Sequence, residues 1–213
     1  MNSTIKEFDI FNYIPEEKDF VINNPYLQEI VTYHNNQFDE YQYWNVRYDL
    51  IKKYAFAVPT IDTIKIIQEL SPIIEIGAGN GYWAYILNQV KVDIIATDKY
   101  PPDETALPFS NYSSNQWFHN QWYDVIKAEA IEAGNHPERA LMLCWPEPQS
   151  MMAYESLYAY KNAGGHTIIF IGDMIACAES NFYDALAQCK LELKKQIWGY
   201  KYFNEIIAIY NLK

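Results

Sequence analysis

The sequence predicts an α/β protein built on a doubly wound, mostly parallel, seven-stranded sheet, and three observations carry that prediction. Residues 73–76, Ile-Ile-Glu-Ile, form a short apolar run rich in β-branched side chains, as a strand covered on both faces requires. The chain then turns on Gly77, Gly79 and Gly81 and enters Tyr-Trp-Ala-Tyr-Ile-Leu, which starts a helix. Strand and helix signals go on alternating to the C-terminus, the pattern of right-handed crossovers between parallel strands.

Residues 1–58 differ in character, being crowded with Tyr, Phe, Asn and Gln. Pro25 opens a helix reaching to about residue 36, with Leu27, Ile30, Val31 and His34 on one face. A second helix covers 41–54. The expectation is a helical, aromatic-rich cover or lid over 1–58 and a ligand-binding domain over 59–213. Pro59 keeps its predecessor extended, Thr60 is placed to cap a helix, and Ile61, Ile64, Ile67 and Leu70 recur at helical spacing. Pro72 ends that helix and leads into the first strand. The second strand is 92–98, the third 122–126, and the fourth 140–145, stopped by Pro146 and Pro148. A helix follows over 150–162, with Met151, Tyr154, Leu157 and Tyr158 on one side and Gly164-Gly165 closing it. The fifth strand is 166–171. A helix over 182–191, a short strand or turn over 196–199 and a final strand over 205–210 complete the sheet.

Composition narrows the function. With 213 residues, half of them apolar, the chain is long enough for one full α/β core. A net charge of -11 and only two arginines, Arg47 and Arg139, argue against a broad nucleic-acid surface, which works by neutralising phosphates. A small-molecule or protein partner fits better. No apolar run approaches the roughly 20 residues needed to span a bilayer, and the N-terminus has no signal-peptide layout. Cys144, Cys177 and Cys189 lack metal-like or C-x-x-C spacing and read as reduced thiols, pointing to the cytoplasm. No His/Cys/Asp/Glu cluster has metal-ligand spacing, so no metal is expected.

The glycine turn carries the chemistry. A strand, a glycine-rich turn and a helix N-terminus bring backbone very close to a ligand. The dinucleotide fingerprint G-x-G-x-x-G would need its third glycine at position 82, where the chain has Tyr82, and this disfavours a nicotinamide-dependent oxidoreductase. The pattern here is E-x-G-x-G-x-G, with Glu75 inside the strand. It resembles motif I of the class I S-adenosylmethionine (SAM) methyltransferases. That resemblance implies a Rossmann-like methyltransferase fold in which Gly77, Gly79 and Gly81 cradle SAM and Glu75 braces the turn. Phe56 and Tyr82 or Trp83 would border the methionine end. Asp98 ends the second strand roughly twenty residues after the turn, where a carboxylate holds ribose hydroxyls. Glu129 resembles the acidic residue that accepts the adenine amino group; a surface glutamate is its other reading.

The segment 143–148, Leu-Cys-Trp-Pro-Glu-Pro, occupies the place of motif IV, where amino-directed methyltransferases carry Asp/Asn-Pro-Pro-Tyr/Phe. Trp145 replaces the Asp/Asn and Glu147 the second proline, so the usual amide acceptor is absent. Trp145 and Glu147 would line the acceptor side, Glu147 as a base or cation partner or else as a solvated loop residue. His119 is a candidate general base or a packing residue. His34 and His166 read as structural, and His136 heads a turn. The blocks at 54–59, 75–84 (Glu-Ile-Gly-Ala-Gly-Asn-Gly-Tyr-Trp-Ala), 143–146 (Leu-Cys-Trp-Pro) and 171–173 together resemble an uncharacterised methyltransferase-like family. Its members carry a second proline and an aromatic residue after Trp-Pro and a Glu after Ile-Gly, where this chain has Glu147, Pro148 and Asp173. The expected activity is methyl transfer from SAM to a small-molecule or protein acceptor. The alternative is a non-catalytic SAM or S-adenosylhomocysteine binder acting through protein contacts.

Overall fold

The computed structural model describes residues 8–34, 36–102 and 115–212. Seven strands form one sheet in the order β3-β2-β1-β4-β5-β7-β6. They are β1 (Ile73–Ile76), β2 (Ile94–Asp98), β3 (Val125–Lys127), β4 (Ala140–Cys144), β5 (Thr167–Gly172), β6 (Lys190–Gln196) and β7 (Ile206–Asn211). β1 to β5 pair in parallel, while β7 runs antiparallel to both β5 and β6. The predicted class, a Rossmann-like doubly wound α/β sheet, is the fold that forms.

Alternation along the strands sorts side chains to two faces, because successive side chains of a strand point opposite ways. Ile73, Met142, Ile169, Ile171, Ile207 and Ile209 enter one buried cluster. Ile74, Ile76, Leu141, Leu143, Ile168, Phe170 and Ala208 enter the other. The first face is covered by α3 (Ile61–Gln68) and α4 (Tyr82–Gln89), and the second by α5 (Met152–Asn162) and α6 (Ser180–Leu186).

The N-terminal segment supplies α1 (Pro25–Thr32) and α2 (Glu40–Lys53), each capped as its sequence directs. Asn24 accepts the Leu27 N–H ahead of Pro25. Asp39 and Gln42 form a reciprocal capping box. Ile10, Phe11, Tyr26, Leu27, Ile30 and Tyr43 sit in the same cluster as the first sheet face, so the segment shares the sheet's core. The Tyr26 and Tyr200 hydroxyls meet at 2.7 Å, and the Tyr82 hydroxyl donates to Asn24 while accepting the Tyr26 N–H.

Some expectations are corrected. The helix expected over 182–191 ends at Leu186, and 190–196, expected in part as helix, is the edge strand β6. Apart from Leu191 and Leu193 its residues are polar, and most are solvated, so the sequence lacks the apolar run that marks a covered strand. α5 buries Ala153, Ser156, Leu157 and Tyr160, leaving Met151 and Tyr158 exposed. Only Leu157 is shared with the expected stripe; the face turns toward Tyr160 and the small residues Ala153 and Ser156, which a search for large apolar side chains passes over. The third strand is also shorter and later than expected. A 3-10 segment, Ala130–Asn135, lies unforeseen after it. No helix among the described residues is long and apolar enough to cross a membrane.

Candidate functional site

A cavity of about 790 Å³ opens at the C-terminal ends of β1, β2 and β4, where an open α/β sheet changes the direction of its winding and ligands bind. Its size is within the usual range of about 300–1,000 Å³ for small-molecule sites. The wall includes Phe56, Glu75, Gly77, Gly79, Tyr82, Asp98, Glu129, Trp145 and Glu147, which the sequence singled out. It also includes residues that the sequence reading passed over: Asn80, Trp117, Phe118, Cys144, Glu155 and Phe203. Gly81 and His119 are not in the wall.

The turn after β1 is held by backbone bonds. Ala78 N–H donates to the Thr97 carbonyl (2.9 Å), Gly81 N–H to the Ala78 carbonyl (2.9 Å) and Trp122 N–H to the Asn80 carbonyl (2.8 Å). Gly77, Gly79 and Gly81 all have positive φ, at 74°, 59° and 75°, where other residues are strained. Their surroundings separate their roles. A Cβ on Gly77 would lie 2.8 Å from the end of Met152, and one on Gly79 would lie 2.6 Å from the Phe118 ring, so both keep the cavity floor clear. A Cβ on Gly81 would meet Val125 and Tyr123 at 2.8 and 2.9 Å on the protein side. Gly81 thus lets α4 start against β3. The Gly81→Ala variant is expected to lose about 2 kcal/mol or more of stability, read by chemical denaturation.

Asp98 closes the turn from the side. Its Oδ2 accepts the Gly79 N–H (2.9 Å) and its Oδ1 the Tyr100 N–H (2.8 Å). Burial pushes its carboxyl up, those two N–H bonds pull it down, and the charge of Glu147 adds to the rise. Each oxygen keeps a lone pair for a ligand hydroxyl. Glu75 is 1% exposed with Oε2 unpartnered among the described residues. Burial, with a smaller contribution from the charge of Asp98, pushes its carboxyl up to about 8. A buried carboxyl without a donor is costly, and a cationic ligand group in the cavity would satisfy it. Glu129 stands at the rim, largely exposed and paired with Lys99 at 3.2 Å.

The opposite wall is aromatic. Phe56 stacks on Trp145 (5.6 Å between centroids, 22° between planes), and Trp145 meets Phe203 edge-on at 5.2 Å. Trp117 and Phe118 pack edge-on against Phe56 at 5.0 and 6.2 Å. Trp145 has φ of 48°, a strained value for a tryptophan; its N–H is fixed to the Ile171 carbonyl at 2.8 Å. Glu147 is exposed at the cavity edge. Tyr82 belongs to the wall, yet its side chain is fully buried and its hydroxyl is engaged on α1. The Cys144 thiol is pushed well up, first by burial and then by the charges of Glu75 and Glu205, so it is a poor nucleophile. His119 is solvent-exposed and outside the cavity, which removes it as a general base here. Among the described residues no group of three or more His, Cys, Asp or Glu is arranged to hold a metal.

Behind this wall lie two buried titratable residues that pattern reading did not reach, Arg47 and Glu205, with Arg47 Nε and Glu205 Oε2 unpartnered among the described residues. The Arg47 guanidinium packs against the rings of Phe203, Tyr200, Trp44 and Trp145 at 4.6, 5.2, 5.4 and 5.9 Å. Glu205 is 1% exposed, and burial pushes its carboxyl up to about 8 against the opposing pull of the Trp145 indole and Arg47. The only sequence signal was one of two arginines lying in an aromatic stretch.

No family model matches the chain, and no curated protein matches it either. Among solved structures it is similar to magnesium protoporphyrin IX methyltransferase from Synechocystis PCC 6803, crystallised with bound SAM. The identity is 9%, over 95% of this chain and 100% of that one, with a TM-score of 0.43. It is also similar to a SAM-dependent methyltransferase from Anabaena variabilis ATCC 29413, at 8% identity over 83% and 96% of the two chains, with a TM-score of 0.43. Similarity at that level decides neither ligand nor activity, which rest on the chain's own atoms.

Proposed function

We propose that this chain is a SAM-dependent methyltransferase acting on a small-molecule or protein acceptor. The observation that carries the reading is the joint placement of the Gly77–Gly79 cradle, Asp98 bonded to the Gly79 N–H, and the unpartnered Glu75 carboxyl in one cavity wall. These residues fit the cofactor on its own terms. The two glycines let backbone approach it, Asp98 offers acceptors to two vicinal hydroxyls, and Glu75 faces a cationic group. On this reading Glu129 would take the adenine end and Phe56 and Trp83 the methionine end; all three line the cavity.

Bound SAM supplies a methyl group already activated on a sulfonium. The chain's task is therefore to orient the acceptor and exclude water. The rings of Phe56, Trp145 and Phe203 do both, since they form a rigid apolar wall beside the loop after β4. Glu147 stands where it can hold a polar acceptor group or take its proton.

The test is incubation of purified protein with methyl-labelled SAM and pools of amines, thiols, carboxylic acids, phenols and proteins. Label transferred to one pool, and reduced by Trp145→Leu, is the expected result. Label that binds but reaches no acceptor would leave the chain a SAM-binding protein without turnover.

A further inference from the structure

We propose that the β4 side of the cavity is an acceptor subsite for a small organic amine, bound as its cation through an aromatic or apolar body and giving one proton to the Glu147 carboxylate before its nitrogen takes the methyl group. This rests on reading the Gly77, Gly79 and Asp98 side as the cofactor's half. Two independent features of the wall agree on the class.

The first is charge. With Glu75, Asp98 and Glu129 given to the cofactor, the acceptor side keeps the carboxylates Glu147 and Glu155, and among the described residues the wall holds one cation, Lys99. Lys99 is already committed to Glu129 at 3.2 Å. Arg47 packs behind the rings and does not line the cavity. A carboxylate or phosphate acceptor meets no free cation among the described residues of this wall and is repelled by Glu147 and Glu155, and a neutral alcohol gains nothing from them.

The second is the continuous ring surface of Phe56, Trp145 and Phe203, extended by Trp117 and Phe118 off Phe56. Ring faces attract cations through their quadrupole and bury apolar bodies, and they do both best where water is excluded. Acids alone would suit any hydrated cation, and rings alone any flat apolar molecule. Together they select an amine attached to an apolar or aromatic skeleton. The left-handed backbone at Trp145 fixes the central ring of this surface in place.

The test is a ligand-observed NMR titration of the full chain with three probes of one shape and different charge: benzylamine, benzyl alcohol and benzoate. Each is run with and without saturating S-adenosylhomocysteine. Benzylamine is expected to bind about tenfold tighter than benzyl alcohol, benzoate to show no binding, and benzylamine affinity to persist with S-adenosylhomocysteine bound. Trp145→Leu should weaken benzylamine about tenfold and Glu147→Gln about threefold. The exposed Glu147 variant carries the test if Trp145→Leu does not fold. Equal binding of benzyl alcohol, tighter binding of benzoate, or displacement of benzylamine by S-adenosylhomocysteine would overturn the assignment. The cofactor reading fails separately: S-adenosylhomocysteine would not bind, while benzylamine would still be selected over its two analogues.

Discussion

Asp98→Ala is expected to lower SAM affinity by about a hundredfold or more and to cost about 2 kcal/mol of stability. The two effects have separate origins. In the free protein the carboxylate accepts the Gly79 and Tyr100 N–H groups, and removing it leaves two donors, at least one of them in the cavity floor, without their acceptor. An orphaned, part-buried donor costs about 1–3 kcal/mol. In the complex, two hydroxyls lose a charged acceptor worth about 1.5–3 kcal/mol each, which exceeds the roughly 2.7 kcal/mol of a hundredfold change. Asp98→Asn keeps one carbonyl oxygen and should fall between wild type and alanine. Calorimetry gives the affinity and urea denaturation the stability. A variant that binds SAM within about threefold of wild type would remove Asp98 from the site.

Stability of the ligand-free protein should fall as pH rises from about 5 to 8, by on the order of 3 kcal/mol or more. Glu75 and Glu205 are both pushed up to about 8 by burial. Between the ordinary glutamate value and about 8, the folded chain holds protons that the unfolded chain has released. The stabilisation is therefore whole below the ordinary value and is lost as pH climbs through the folded one. Asp9 and Asp98, raised chiefly by burial, act in the same direction. Asp93 is lowered by its bond to Arg139, and Glu29 is lowered because its bonds to Lys53 and Tyr54 outweigh its burial. Both are ionised at either end of this window and contribute no slope. The double variant Glu75→Gln, Glu205→Gln should flatten the dependence of melting temperature on pH. A wild-type protein more stable at pH 8 than at pH 5 would contradict the assignment. A cation bound beside Glu75 favours its ionised form, so SAM should bind more tightly toward pH 8 and release a proton as it does.

The sequence made the site's centre readable because local rules govern it. The β-branched run of β1, the glycines that permit positive φ, and an acid at the end of β2 all leave marks in short stretches. Gly81 shows the limit of that reading. Its motif position suggested a ligand contact, whereas the space beside it is filled by Val125 and Tyr123. The aromatic wall was half visible, since Phe56 and Trp145 stood in recognisable blocks while Phe118 and Phe203 came from segments without a pattern. Their contacts depend on tertiary placement alone. His119 drew attention by residue type, but it points to solvent while its neighbour Phe118 faces Gly79. β6 was missed for a physical reason as well. An edge strand with mostly solvated side chains needs only β7 for its hydrogen bonds, and two leucines, Leu191 and Leu193, among Lys and Glu leave too short an apolar period to mark it.

The most direct measurement is a calorimetric titration of the wild-type protein with S-adenosylhomocysteine, SAM and NAD, repeated on Asp98→Ala. Saturable binding of both sulfur ligands at one site, lost in the variant and without competing binding of NAD, is the predicted result. No binding of either sulfur ligand, or NAD bound in their place, would contradict it.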